Sequence, residues 1–117
     1  AEIFPKDYRP WGWFESLTYT QNYQVKRLHV SPGSSLSLQT HQFRFEHWVV
    51  VEGIATVQRD DEIIELRANE STFIQAGQKH RLSNKTSKPL TVIEVQTGSY
   101  LGEDDIIRHE DIYKRLE

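Results

Sequence analysis

Gln39, His41, Glu46 and His80 are among the side chains of this chain whose donor atoms a divalent cation accepts. Together they supply two imidazole nitrogens, one carboxylate and one amide oxygen. A mixed nitrogen and oxygen set of this kind suits zinc first, and also cobalt, nickel, manganese or iron(II). It is a poor match for copper(I), which prefers sulfur. An ion so held acts as a Lewis acid on a substrate oxygen. Four protein ligands leave room for substrate only if the ion expands its coordination. Gln39, neutral and weaker, is the ligand expected to make way.

These residues need strands to position them. Side chains two apart on a strand share a face, so Gln39 and His41 point the same way. So do Glu46, Trp48 and Val50, and so do His80, Leu82 and Asn84. An inward ligand face would place the metal in a largely apolar pocket lined by Trp48, Val50 and Leu82. Strands are expected over 23–30, 35–41, 45–51, 54–58, 62–66, 71–75, 80–84 and 90–96. The turn Arg59-Asp60-Asp61 makes a hairpin of two of them. Many short strands at regular spacing imply an all-β sandwich or barrel. The tail EDDIIRHEDIYKRLE, residues 103–117, carries the charge and spacing of a short C-terminal helix, with Asp104 or Asp105 at its N-terminus.

A chain of 117 residues is expected to form a single domain, 1–117. Fourteen Lys and Arg against 17 Asp and Glu give a net charge of −3, with no basic excess for nucleic acid. Cysteine is absent, which excludes disulfides and thiolate ligands. No apolar run approaches a membrane span. The N-terminus, with Glu2, Lys6, Asp7 and Arg9, lacks the apolar core of a signal peptide. The expected location is cytoplasmic. Because it begins at Ala1 and contains no methionine, the chain is expected to have lost its initiator or to have been cut from something longer.

Gly33 is followed after five residues by Gln39, then His41, Glu46 and Gly53. This spacing resembles the first cupin motif, with Gln39 in place of the first histidine. The second cupin motif is matched at Gly77, His80 and Asn84, with Asn69 for its first glycine and Gln75 for its proline. The two motifs together put Gln39, His41, Glu46 and His80 at ligand positions. The resemblance narrows further. RPWGWFESL, YQVKRLHVSPGSSLSLQTH, EHWVVVEGIATV and IEVQTGSYLGEDDIIR look like the C-terminal cupin domain of type II phosphomannose isomerases. The first-motif run is usually near Q-M-H-H-H-R-A-E-H-W, and this chain carries Thr40, Gln42, Phe43 and Phe45 instead. Type I phosphomannose isomerases hold zinc with Gln, His, Glu and His in a Q-x-H pattern, which Gln39-Thr40-His41 shares. Position 43 is then no ligand, and Phe43 and Phe45 are expected at the pocket rim.

The resemblance implies isomerisation of mannose 6-phosphate to fructose 6-phosphate through a cis-enediol. Such chemistry needs a base near the metal, and Glu94 is the first candidate, with Gln96 on its face. A salt bridge to Lys26 or Arg27 is the competing structural role for Glu94. A phosphate needs cations. Arg44 is the foremost, both catalytic and substrate-binding, followed by Lys26, Arg27 and Arg81, with Trp48 and Gln96 completing the substrate contacts. Only one of Lys26 and Arg27 can face inward. His29, His47 and His109 read as structural. The guanylyltransferase signature G-x-G-x-R-L-W-P is absent. The other readings are a different metal cupin enzyme (a sugar isomerase or epimerase, less readily a dioxygenase) and a non-catalytic sugar-binding cupin. A homodimer is expected, with Tyr8, Trp11, Trp13 and Phe14 at its interface or capping the barrel.

Overall fold

A computed structural model describes residues 4–110. Eleven strands run through them: β1 (Lys6–Arg9), β2 (Gly12–Tyr19), β3 (Tyr23–Val30), β4 (Leu38–Thr40), β5 (Arg44–Glu52), β6 (Ile54–Arg59), β7 (Glu62–Arg67), β8 (Ser71–Ile74), β9 (His80–Ser83), β10 (Leu90–Gly98) and β11 (Ile107–Glu110). They form a six-stranded sheet in the order β1-β2-β3-β10-β5-β8 and a five-stranded sheet in the order β11-β4-β9-β6-β7. Every pairing is antiparallel.

Alternation decides what each strand buries. On β5, Arg44, Glu46, Trp48 and Val50 are buried, and Phe45, His47, Val49 and Val51 are exposed. On β3 the buried set is Gln24, Lys26, Leu28 and Val30, and on β10 it is Leu90, Val92, Glu94 and Gln96. Along each inward face the chemistry changes from apolar to polar. Leu28, Val30, Val50, Leu90 and Val92 join Ala55, Val57, Leu66, Ile74 and Leu82 in one continuous core. Each such side chain contributes roughly 1.5–3 kcal/mol by leaving water. Gln24, Lys26, Glu46, Glu94 and Gln96 occupy the other end of the same faces. The core therefore anchors the strands, and the polar end is held by them.

The second-motif substitution at Asn69 has a clear physical basis. Asn69 adopts φ +74, in the left-handed region where Asn is the best tolerated residue after Gly. At Gly53 (φ +89) a Cβ would lie 2.4 Å from the Pro89 carbonyl oxygen, so only glycine fits.

Two expectations change. Residues 107–110, expected in a C-terminal helix, form β11, in which Ile107 pairs with Thr40 and Arg108 with Gln39. Residues 103–106, also expected in that helix, form a turn and irregular chain, and 111–117 lie outside the described residues. Of the strand expected over 35–41, only Leu38–Thr40 joins a ladder, with an isolated bridge from Ser35 to Ser83. At the N-terminus, Trp11 is buried and Phe14 packs on the core, so these two cap the barrel end, while Tyr8 is exposed.

Candidate active site

Each sheet contributes facing residues to a shared cavity. In the six-stranded sheet Gln24, Gln96 and Glu46 are cross-strand partners, and so are Lys26, Glu94 and Trp48. In the five-stranded sheet Arg108 pairs with Gln39, and Gln39 with His80. His41 follows β4 directly. The rows enclose a cavity of about 120 Å³, whose lining includes Gln39, Glu46, Trp48, His80, Glu94 and Gln96.

The donor atoms of His41, Glu46 and His80 lie within 4.8 Å of one another, and all three residues are buried. His41 Nε2 is 3.0 Å and His80 Nε2 3.9 Å from Glu46 Oε2. Both rings are held from behind. His41 Nδ1 lies 2.6 Å from the Asp105 carbonyl oxygen, and His80 Nδ1 lies 3.0 Å from that of Gln78. Donation from Nδ1 to those carbonyls turns Nε2 of each ring toward Glu46. Burial lowers the His80 pKa, which favours its neutral ring with the Nε2 lone pair available. Gln39 Nε2 donates to Ser37 Oγ at 2.7 Å, which leaves the amide oxygen as its free donor atom. The donor set thus fits a divalent cation.

A positive charge already stands among these side chains. Arg44 Nε and Nη2 each lie 2.9 Å from Glu46 Oε2, and Nη2 is 2.8 Å from His41 Nε2. Burial alone would raise the Glu46 carboxyl, yet the His41 hydrogen bond and the charge of Arg44 hold it well below the ordinary range. Trp48 Nε1 bridges two carboxylates, donating to Glu46 Oε1 at 2.9 Å and to Glu94 Oε2 at 3.2 Å. Glu94 also accepts from Gln96 Nε2. Burial first, and then the neighbouring Glu46 charge, push the Glu94 carboxyl up to about 8. Two carboxyls joined by one indole therefore differ widely in proton affinity. That is the arrangement that separates an ionised ligand from a proton-carrying group.

Lys26 faces the cavity and Arg27 the opposite side of the sheet, where it pairs with Glu15 at 2.7 Å. Arg27 is therefore not brought to the site. Glu94 forms neither of the salt bridges considered for it; Lys26 Nζ instead reaches Glu103 Oε1 at 2.7 Å. Arg81 lines the cavity, with its guanidinium 3.1 Å from the Glu110 carboxylate. Val50 belongs to the core and does not line the cavity. Phe43 and Phe45 do not reach the rim either: Phe43 meets Tyr100 edge-on, and Phe45 stacks on Phe73 on the outer face. His29 stacks on Trp13, His47 packs on Phe73, and His109 contacts Thr40, all away from the ligands. Arg9, Ser37, Glu103 and Arg108 also line the cavity. Ser37 shares the face of Gln39 by alternation, but Arg9, Glu103 and Arg108 arrive from segments that no local period links to it.

Residues 1–111 match the family described as Mannose-6-phosphate isomerase C-terminal. The chain belongs to this family. Among other members of the mannose-6-phosphate isomerase C-terminal group, xanthan biosynthesis protein XanB of Xanthomonas campestris pv. campestris is 56% identical over 110 residues, covering 94% of this chain and 24% of that protein. Mannose-1-phosphate guanylyltransferase ManC of Salmonella typhimurium is 50% identical over 109 residues, covering 93% of this chain and 23% of its own length. This chain thus spans about a quarter of the length of these relatives. The fold is that of the cupins. A Klebsiella pneumoniae protein with a double-stranded β-helix domain superposes with a TM-score of 0.73 at 20% identity, covering 83% of each chain. Bacillus subtilis oxalate decarboxylase superposes with a TM-score of 0.79 at 16% identity, covering 91% of this chain and 30% of that one. No helix among the described residues is long and apolar enough to cross a membrane.

Proposed function

We propose that this protein is a metal-dependent aldose–ketose isomerase interconverting mannose 6-phosphate and fructose 6-phosphate. The observation that carries the reading is the order of charges across the six-stranded sheet. Glu46, with its histidine partners, stands on β5, Glu94 on the adjacent β10, and Lys26 on β3 beyond it. Neighbouring strands are about 4.8 Å apart, so the ligand end and the cationic end are separated by roughly 10 Å, with a proton-carrying carboxyl between them. A phosphosugar has the same order of parts: a carbonyl carbon, a carbon bearing the mobile proton, and a distant phosphate.

His41, Glu46, His80 and Gln39 would hold the divalent ion, zinc first. The ion supplies Lewis-acid stabilisation of negative charge on the substrate oxygen. Glu94 becomes a base once the Glu46 charge beside it is balanced. It then takes the proton from C2 of the aldose and returns it to C1, passing through the cis-enediol. Trp48 keeps Glu94 and Glu46 in fixed relation through its indole N–H. Gln96 Oε1, buried and without a hydrogen-bond partner, offers an acceptor to a sugar hydroxyl. Lys26, with Arg9 and Arg108 also in the cavity lining, supplies positive charge for the phosphate. Charge-assisted bonds of this kind are the strong ones.

A second reading is favoured by one observation, the Arg44 guanidinium within the ligand group: a cupin that binds sugar without metal and without turnover. A coupled assay from mannose 6-phosphate to fructose 6-phosphate separates the two. Metal-stripped protein would be supplied with zinc, cobalt, nickel, manganese or iron(II), beside a His41→Ala control. Turnover restored by metal and lost in the control supports the isomerase. Binding of the sugar phosphate with no turnover under any metal supports the second reading. The proposed homodimer is checked by the mass in solution. Phe45, Val49, Val51 and Phe73, exposed on the outer face of the six-stranded sheet, are the surface to substitute.

A further inference from the structure

Lys26 is only 5% exposed, yet it carries an ammonium group in the cavity. A cation taken this far out of water requires an anionic partner. Its sheet neighbour Glu94 does not provide one, since that carboxyl is engaged by Trp48 and Gln96. The partner is Glu103, reached from 77 residues away in sequence, with Oε1 2.7 Å from Lys26 Nζ. The Phe14 ring lies 4.6 Å from the same ammonium and closes its other side. Lys26 alone touches the carboxylate, and the charges of Arg44 on β5 and Arg9 on β1 favour its ionised form.

Glu103 is bound unlike the other charged residues of the cavity. Its side chain is 72% exposed, and it belongs to the segment 99–106, which joins β10 to β11 without entering a ladder. Release of this carboxylate would return it to water at little cost. Lys26, fixed on a central strand, has no such alternative.

We infer that Glu103 is a resident surrogate for the anionic group of the substrate, occupying a phosphate-monoester site on Lys26 that Arg9 and Arg44 reinforce. This rests on the isomerase reading for the identity of the sugar, but not for the anion site itself. An incoming phosphate displaces the Glu103 carboxylate and takes over the ion pair. Glu103 then sets a threshold: anions that can pair with Lys26 displace it, and uncharged sugars do not.

Titration of the metal-free protein with inorganic phosphate, followed by calorimetry or amide chemical shifts, tests the assignment. Glu103→Gln is expected to bind phosphate about three- to tenfold more tightly than the parent, because the competing charge is gone. Lys26→Met is expected to abolish that gain in the double variant. With mannose 6-phosphate, Glu103→Gln is expected to lower KM by a similar factor. Unchanged or weaker phosphate binding by Glu103→Gln overturns the assignment and makes Glu103 a direct substrate contact or a purely structural partner of Lys26. If phosphate binding tightens but neither protein turns over mannose 6-phosphate, the anion site stands and the isomerase reading falls.

Discussion

Arg44 and Glu46 lie two residues apart on one face of β5, and the guanidinium of the first stands 2.9 Å from the carboxylate of the second, where a metal ligand is expected to meet its ion. The pair neutralises a carboxylate that is almost fully buried. Arg44→Met should therefore destabilise the metal-free protein by about 3 kcal/mol, through the unpaired charge left on Glu46. Zinc should stabilise the variant more than it stabilises the parent, because the ion no longer competes with an internal cation. Urea unfolding with and without added zinc reads both effects; an equal metal response in the two proteins would show that Arg44 does not compete.

Glu94 predicts a pH dependence in the metal-free state. Its carboxyl is raised to about 8 in the folded protein, from an ordinary value of 4.5. Between those values the native state holds a proton that the unfolded chain has released, so stability falls as pH rises through the window. Glu46 works in the opposite sense. Its depressed pKa contributes stability above the ordinary carboxylate range, and that contribution is lost as pH falls through the folded value. Unfolding free energy measured from roughly pH 5 to pH 8 should decline in the parent, and Glu94→Gln should flatten the decline.

The same substitution separates proton transfer from metal binding. Glu94 is not among the three residues whose donor atoms converge. Glu94→Gln should keep the metal content of the parent by elemental analysis, while kcat falls about 10²- to 10⁴-fold. His80→Ala should lose both metal and turnover. Retention of activity by Glu94→Gln would send the search for the base elsewhere in the cavity.

Asn84 completes the second motif but lies outside the chemistry. Its Nδ2 donates to the Val30 and Lys88 carbonyls at 3.0 and 2.7 Å, and its Oδ1 accepts from Thr86 N and Oγ1 at 3.0 and 2.8 Å. Asn84→Ala strands these partners and should cost about 2–4 kcal/mol in thermal or urea unfolding. Metal affinity should change little, since the side chain holds a turn and touches no ligand.

Strand parity was the most legible part of this protein. Gln39 with His41, and Glu46 with Trp48, follow from a period of two, and the structure places each pair as that period requires. Parity does not say which face is inward when both are apolar. On β3 the inner face carries Leu28 and Val30 and the outer face Tyr23, Val25 and His29, so Lys26 and Arg27 could not be told apart. The terminal segment misled for a related reason. Alternating charges around Ile106 and Ile107 satisfy a helical pattern as well as a strand, and pairing with β4, distant in sequence, decided the outcome. Glu103 and Arg9 were invisible because no local period links them to Lys26.

Asp105 gives that segment a further significance. Its carboxylate accepts from the Gln42 and Phe43 amides at 2.7 and 2.9 Å, and its carbonyl receives the His41 ring nitrogen. Two residues earlier, Glu103 grips Lys26. One short stretch is thus tied at one point to a ligand of the proposed ion and at another to the proposed phosphate cradle. The two ends of the cavity thus share one tether, the stretch from Glu103 to Asp105.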